Sequence, residues 1–359
     1  MNIALRVDAS ASMGLGHLRR CLSLAQALRT RGATCRIVSR NLGLVPIAAL
    51  AEGFDSLTLP PPGPAVVVND SVEHAAWAGV GWRQDADDTL TALQGQPVEW
   101  LVLDHYAFDA RWHRAVRVGL DCRIAVIDDL ADRALDADLV IDHNHATDHR
   151  QKYAGCVAAG TELLGGPSFG LLSAVYADAP RHGPQAEVAS IGIFMGGTDA
   201  DQLSAMALAG CDLAGFSGPV EIASTSANPR LDDLQQAVSQ RPQTRLMLDQ
   251  PDLAEFFARH TVQIGAGGGA TWERCCIGAA TLALIAADNQ RQALEPLAGL
   301  GVLAAVDSVP PTAPAIATAL RPLLGDAALR SSLSANAQRL VDGRGAWRVA
   351  ERLLAPQPT

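Results

Sequence analysis

Short apolar runs recur along the whole chain, separated by stretches with apolar residues at helical spacing. Ile3-Ala4-Leu5-Arg6-Val7, Thr34–Val38, Trp100–Leu103, Arg123–Ile127 and Leu139–Ile141 read as strands. The third and fourth close on acids, Asp104 and Asp128-Asp129. Buried runs alternating with helices predict a parallel sheet covered on both faces, with ligands taken at the carboxyl ends of its strands. Ala177 to Gln185 is polar, carries Pro180 and Pro184 and has no periodicity, so it reads as a linker. After it the pattern restarts with strands at Val188–Phe194, Val220–Ala223, Arg245–Leu248, Val262–Ile264 and Thr281–Ile285, and a helix over 200–208. The expectation is an α/β protein of two similar domains facing a cleft: residues 1–179, residues 186–340, and a terminal helix in 341–359 that could pack back on the first domain, which the sequence does not decide.

Composition narrows the function classes. The 359 residues are 48% hydrophobic and 18% charged, enough for two sizeable cores. A formal net charge of −10 argues against nucleic acid or an anionic membrane as partner. The seven cysteines show no Cys-x-x-Cys spacing, and scattered thiols fit a reducing, cytoplasmic setting. Arg6 and Asp8 interrupt the N-terminal apolar run, so no signal peptide is expected, and no stretch reaches the roughly 18 apolar residues of a membrane span. Oligomeric state is not legible.

Two glycine-rich turns carry the candidate chemistry. The first strand runs through Gly14-Leu15-Gly16-His17 into a helix ending near Gly32. Gly14 and Gly16 allow close approach of a ligand, and His17 stands at a helix start where a titratable group meets a bound anion. The turn lacks the third glycine of the dinucleotide fingerprint and the Gly-Lys-Ser/Thr of a P-loop. In the second half, Gly196-Gly197-Thr198-Asp199 and Gly265-Ala266-Gly267-Gly268-Gly269 follow strands, with space for a pyrophosphate against backbone N–H groups. Thr271 reads as a helix cap. Glu273 reads either as a first-turn acid favoured by the helix dipole or as a carboxylate accepting ribose hydroxyls. Asp199 reads as a helix-start acid. Asn289-Gln290 at another strand end suits sugar hydroxyl or acetamido groups, or a surface turn. The His143, His145, His149 segment reads as a polar loop, and neither a metal nor a cofactor is expected.

In order and spacing these fragments resemble a known family, the UDP-2,4-diacetamido-2,4,6-trideoxy-β-L-altropyranose hydrolases of pseudaminic acid biosynthesis. The resemblance spans most of the chain. It rests on Arg6-Val7-Asp8-Ala9-Ser10, Gly14 through Ala25, Asp104-His105-Tyr106, Ile127-Asp128-Asp129-Leu130, Gly196-Gly197-Thr198-Asp199, Thr271-Trp272-Glu273-Arg274-Cys275 and Asn289-Gln290. It implies two Rossmann-like domains of the GT-B-like type. It also implies His17 as catalytic base, with Gly14, Gly16, Tyr106, Asn289 and Gln290 around the sugar. UDP would be held by Gly196, Gly197, Thr198, Gly267 and Gly268, with Glu273 on the ribose. The implied reaction is metal-free attack of water on the anomeric carbon of a UDP-linked amino-deoxy sugar, with inversion.

Two departures stand out. Gly269-Ala270 occupies positions where the family has hydroxyl residues, and Phe169-Gly170-Leu171-Leu172-Ser173 lacks the family's arginine. A UDP-sugar glycosyltransferase of the same fold would use the same donor site, and a non-catalytic nucleotide-sugar binder would keep Glu273 and the glycine loops.

Overall fold

The structure is a computed structural model. It describes the chain except residues 11–12, 43–52, 64–69, 200, 286–287 and 357–359, and for 288, 289 and 292 it describes the backbone alone. The chain forms two compact units, Met1–Ser173 with Arg344–Thr359, and Ala174–Gly343.

The first unit contains a seven-stranded parallel sheet. Its strands are β1 (Asn2–Val7), β2 (Thr34–Arg40), β3 (Asp55–Leu59), β4 (Trp100–Asp104), β5 (Arg123–Ile127), β6 (Leu139–Asp142) and β7 (Glu162–Gly165), in the order β3-β2-β1-β4-β5-β6-β7. The order reverses direction between β1 and β4, which pair in parallel from Ile3↔Trp100 to Val7↔Asp104. The carboxyl ends at such a reversal are where open α/β sheets take their ligands. Leu5, Val7, Leu101, Val102, Leu103, Ile124, Val126 and Ile127 are buried, as central parallel strands covered on both faces require. The helix Gly16–Thr30 follows β1 and buries Leu18, Cys21, Leu24, Ala25 and Leu28. Gly32, at φ +83°, donates its N–H to the Arg29 carbonyl just past the helix end, a conformation that glycine adopts without strain. The terminal helix Gly345–Leu354 joins this core through Val349, Ala350 and Leu353, and Trp100 Nε1 donates to the Leu353 carbonyl at 3.0 Å.

The second unit has a six-stranded parallel sheet: β8 (Ile191–Phe194), β9 (Val220–Ser224), β10 (Thr244–Leu248), β11 (Val262–Ala266), β12 (Ala280–Leu284) and β13 (Ala304–Ala305), ordered β10-β9-β8-β11-β12-β13. Its reversal falls between β8 and β11. The strands β3, β7 and β13, which the apolar pattern did not predict, are all edges; β3 and β7 are largely half-buried and so carry no continuous apolar run.

Three local expectations change. The segment read as a linker is packed on the second unit: His182 N donates to the Ile277 carbonyl at 2.9 Å, and Arg181 Nη2 to the Asp342 carbonyl at 3.0 Å. The helix expected over 200–208 runs Leu203–Leu213, because Asp199 (φ +37°) and Gln202 (φ +58°) turn the chain first. The Asp199 carboxylate then accepts from the N–H groups of Leu203 and Ser204, satisfying helix-start donors. Thr271 is not a cap: Gly268 holds that position, and Thr271 lies buried inside the helix Gly269–Ile277.

Among the described residues, the charges buried in the first core are paired. Arg6 on β1 is fully buried and binds Asp8 (2.5 and 2.8 Å) and Asp85 (2.6 Å). Arg40 on β2 shares Asp85 at 2.9 Å, and Trp112 Nε1 donates to the same carboxylate at 3.1 Å. Two cations against two buried acids leave no uncompensated charge, the condition under which such a cluster is tolerated.

His113 is also buried, and it is neutral. Its Nδ1 accepts from the Asp136 N–H at 3.1 Å, and burial, reinforced by Arg133, pulls its pKa from 6.5 down to about 3. The unfolded chain then binds a proton that the native state refuses between those two values, so stability falls as pH drops below about 6.5. From pH 7 to pH 5 this histidine should cost about 2 kcal/mol. Urea unfolding at both pH values checks this: His113→Phe should show a shallower pH slope than the parent, and equal slopes would exclude His113 as a source.

Candidate active site

The turn after β1 and the end of β4 meet at the reversal of the first sheet. Gly14 has φ +70° and donates its N–H to the Ser10 carbonyl at 2.7 Å, so the turn requires glycine there. A Cβ at Gly16 would touch nothing within 4 Å, so the chain's own sterics do not demand glycine at that position. The turn delivers His17 to the start of the helix Gly16–Thr30, with 8% of its surface exposed.

Asp104, the last residue of β4, is fully buried and receives three partners from that helix, Cys21 Sγ donating to Oδ2 at 3.6 Å. Its Oδ1 lies 2.6 Å from His17 Nδ1. Arg20 donates to both carboxylate oxygens, Nε to Oδ2 and Nη2 to Oδ1, each at 2.6 Å. The i, i+3 spacing puts Arg20 on the same helix face as His17. Burial alone would raise the Asp104 pKa, but the charges and hydrogen bonds of Arg20 and His17 outweigh it and hold the carboxyl far below the usual range. A carboxylate at Nδ1 keeps the proton there, which leaves Nε2 as the basic nitrogen.

Around this pair stand groups from the ends of β4, β5 and β6. The Tyr106 ring lies edge-on to His17 with centroids 4.8 Å apart, and its hydroxyl donates to Asp129 Oδ1 at 2.5 Å. Burial raises the Tyr106 pKa well above its ordinary value, so the hydroxyl keeps its proton. Asn144 Nδ2 donates to Asp129 Oδ2 at 3.1 Å. His143 is held down to about 4 by burial, with Arg20 adding to the effect. His74 and Trp77 stack at 4.5 Å and 15°, with Trp77 6.0 Å from the Tyr106 centroid. His105, between Asp104 and Tyr106, points away: its Nδ1 accepts from the Ala107 N–H at 3.0 Å, and its Nε2 lies 3.4 Å from Asp8.

The second unit gathers the other candidate residues at the ends of β8, β11 and β12. Gly196 has φ +95°, Thr225 Oγ1 donates to the Gly197 carbonyl at 2.7 Å, and Thr198 is exposed. Gly268 has φ +117° and is exposed. A Cβ on Gly267 would lie 3.3 Å from Gln290 Oε1, so Gln290 borders the glycine turn. Gln290 and Asn289 belong to the helix Asp288–Gly299; the Asn289 side chain lies outside the described residues. Glu273 is the fifth residue of the helix Gly269–Ile277, past the first turn in which the dipole reading placed it. It is half-buried and accepts a hydrogen bond from Tyr176, whose hydroxyl in turn accepts from the Leu253 N–H at 3.2 Å. Among the described residues no group of three or more His, Cys, Asp or Glu side chains is placed to hold a metal ion.

Sequence reasoning singled out His17 and Tyr106 but not Asp104, Arg20, Asp129, His74 or Trp77 as parts of one constellation. Signals were available: strand-ending acids for Asp104 and Asp129, and helical spacing for Arg20. Nothing in the sequence indicated His74 or Trp77, which reach the site through a short 3₁₀ turn, Ala75–Ala78.

Because Asp104 is buried and Arg20 is its bidentate partner, Arg20→Met should destabilise the first unit by about 3–5 kcal/mol, the scale for stranding a buried charge. Chemical denaturation measures this, and a loss under about 1 kcal/mol would show that His17 and Cys21 satisfy the carboxylate without Arg20.

No protein-family model matches the chain. It is 22% identical over 357 residues to the spore coat polysaccharide biosynthesis protein SpsG of Bacillus subtilis (strain 168), covering 97% of this chain and 96% of that protein. Among solved structures it is similar to MurG of Acinetobacter baumannii (TM-score 0.67, 14% identity, 98% of each chain). It is also similar to the calicheamicin glycosyltransferase CalG4 (TM-score 0.61, 16% identity, 99% of each chain). A third is a putative UDP-N-acetylglucosamine 2-epimerase from Listeria monocytogenes (TM-score 0.64, 10% identity, 98% of this chain and 95% of that one). The two parallel-sheet α/β units, together with these likenesses over nearly full length, make the fold GT-B-like.

Proposed function

We propose that this protein is a UDP-sugar-dependent enzyme of polysaccharide biosynthesis in which a hydroxyl deprotonated by His17 displaces UDP from the anomeric carbon. The observation that carries this reading is the His17–Asp104 pair at the reversal of the first sheet, with Nε2 left as base. Asp104 fixes the ring and its tautomer and stabilises the imidazolium formed as the hydroxyl proton transfers. The donor belongs to the second unit. Gly196, Gly197, Thr198, Gly267 and Gly268 offer backbone N–H groups to the diphosphate, Glu273 accepts from the ribose, and Gln290 and Asn289 serve the sugar. Those N–H groups meet the charge that develops on departing UDP.

The attacking hydroxyl is assigned to a carbohydrate acceptor, which makes the reaction glycosyl transfer. Likeness to a polysaccharide biosynthesis protein and to a glycosyltransferase fold favours this. The half-exposed rings of His74, Trp77 and Tyr106 beside the base suit the apolar face of a sugar. A second reading, hydrolysis of a UDP-linked amino-deoxy sugar in a pseudaminic acid-type pathway, replaces the acceptor with water. The 8% exposure of His17 favours a nucleophile that small.

Incubation with a panel of UDP-sugars, with and without carbohydrate acceptors, followed by NMR of the products separates the two. Acceptor-dependent release of UDP with an inverted glycoside is expected. Free sugar formed equally fast without acceptor would establish hydrolysis, and no UDP release under any condition would remove the enzymatic reading. His17→Asn should keep fold and UDP affinity while the rate falls by roughly 10²–10⁴, and near-normal turnover would remove His17 from the mechanism. Glu273→Ala should weaken UDP binding by about 1–3 kcal/mol in calorimetry, whereas unchanged affinity would refute the ribose assignment.

A further inference from the structure

Arg274 is fully buried behind the glycine turn of the second unit. Its Nη2 donates to the Ala266 carbonyl at 2.9 Å and lies 3.3 Å from Thr271 Oγ1, which wedges the guanidinium between the end of β11 and the first turn of the helix Gly269–Ile277. A Cβ on Gly265 would fall 2.3 Å from Nη1, so glycine makes room for the group. Phe257 lies on another side, its centroid 5.9 Å away. Nε and Nη1 have no hydrogen-bond partner among the described residues, and burial lowers the guanidinium pKa to about 10, which the Glu273 carboxylate offsets only in part. This differs from Arg6 and Arg40, whose charges are matched by buried acids.

Burying a guanidinium with N–H groups unspent is costly, and an apolar side chain of similar volume would avoid that cost. The position of the group explains its retention. In a trans peptide the C=O and the following N–H point in opposite directions. Arg274 draws the Ala266 carbonyl inward and so turns the Gly267 N–H outward. Just beyond it, Gly268 caps the helix without any side-chain cap, and space is open beside both Gly268 and Gly269. An outward N–H, a bare helix start and a buried cation one turn behind them all favour an anion at the same place.

We propose that Arg274 is a positioning residue for a diphosphate at the Gly267-Gly268-Gly269 turn, fixing the turn through the Ala266 carbonyl and adding a buried positive charge behind it. The inference rests on the UDP reading of the second unit.

Calorimetry of the full-length protein with UDP and with uridine tests it, because uridine shares the nucleoside contacts and lacks the diphosphate. R274M should bind UDP at least about tenfold more weakly while uridine affinity is unchanged, the scale of losing interactions with a charged group. If R274M does not fold, R274K carries the test: it keeps the charge without the planar fork and should show a smaller loss, again confined to UDP. UDP affinity equal to the parent's in the folded variant would overturn the proposal, as would equal fold-losses for UDP and uridine, which mark a purely structural role. A parent protein that binds uridine no more weakly than UDP overturns the diphosphate subsite itself, and one that binds neither overturns the UDP reading.

Discussion

Asp104 closes β4 with no exposure, and the first helix binds it through His17 Nδ1, through both arms of Arg20 that reach its oxygens, and through Cys21 Sγ. That carboxylate ties the helix start to the sheet at the point where strand order reverses. Without it His17 would have no fixed tautomer, and Arg20 would have no reason to lie against the sheet end. Arg20 also reaches towards Asp129, Nη1 to Oδ2 at 3.9 Å, so the ends of β4 and β5 share one electrostatic unit. Tyr106 joins them by donating to Asp129 while packing against the imidazole. Structure and candidate chemistry therefore depend on the same buried charge.

A second charge cluster supports the first from below. Arg6 and Asp8 stand on β1 and just past its end; with Arg40 and Asp85 they lock β1 to β2 and to the helix Trp82–Ala92. Since breaking any buried pair strands a charge, these contacts specify one arrangement of the strands that carry the glycine turn. The second unit uses a different device. Its turns are shaped by positive φ at Gly196 and Gly268, and the buried cation behind the second turn keeps two nitrogens without a hydrogen-bond partner among the described residues. A ligand anion is the natural complement to that arrangement, whereas the first unit completes its electrostatics internally.

Strands at the centre of both sheets were legible as apolar runs because parallel strands buried on both faces need continuous hydrophobic side chains. Arg123–Ile127 agrees residue for residue, and most other central strands agree within one or two. The edge strands β3, β7 and β13 were not legible, since half-exposed edges carry mixed residues. The polar segment Ala177 to Gln185 misled for a related reason: its composition is that of a linker, but its backbone is held by the Ile277 carbonyl and by the Gln338 and Arg330 side chains of the second unit. Such contacts leave no mark on side-chain pattern.

The sequence by itself determined the α/β class, the glycine turns and the place of His17 at a helix start, because each follows from local periodicity or from glycine's conformational freedom. Tertiary structure alone decided which acid meets that histidine. Asp104 lies 87 residues away and Asp129 further still, and only the parallel register of β1, β4 and β5 brings their ends together. It likewise decided that Glu273 is held by Tyr176 and that Arg274 turns inward to the Ala266 carbonyl. Neighbours in sequence, these two residues take opposite roles because a helix separates successive side chains by about 100°, and only the packed sheet determines which direction is core.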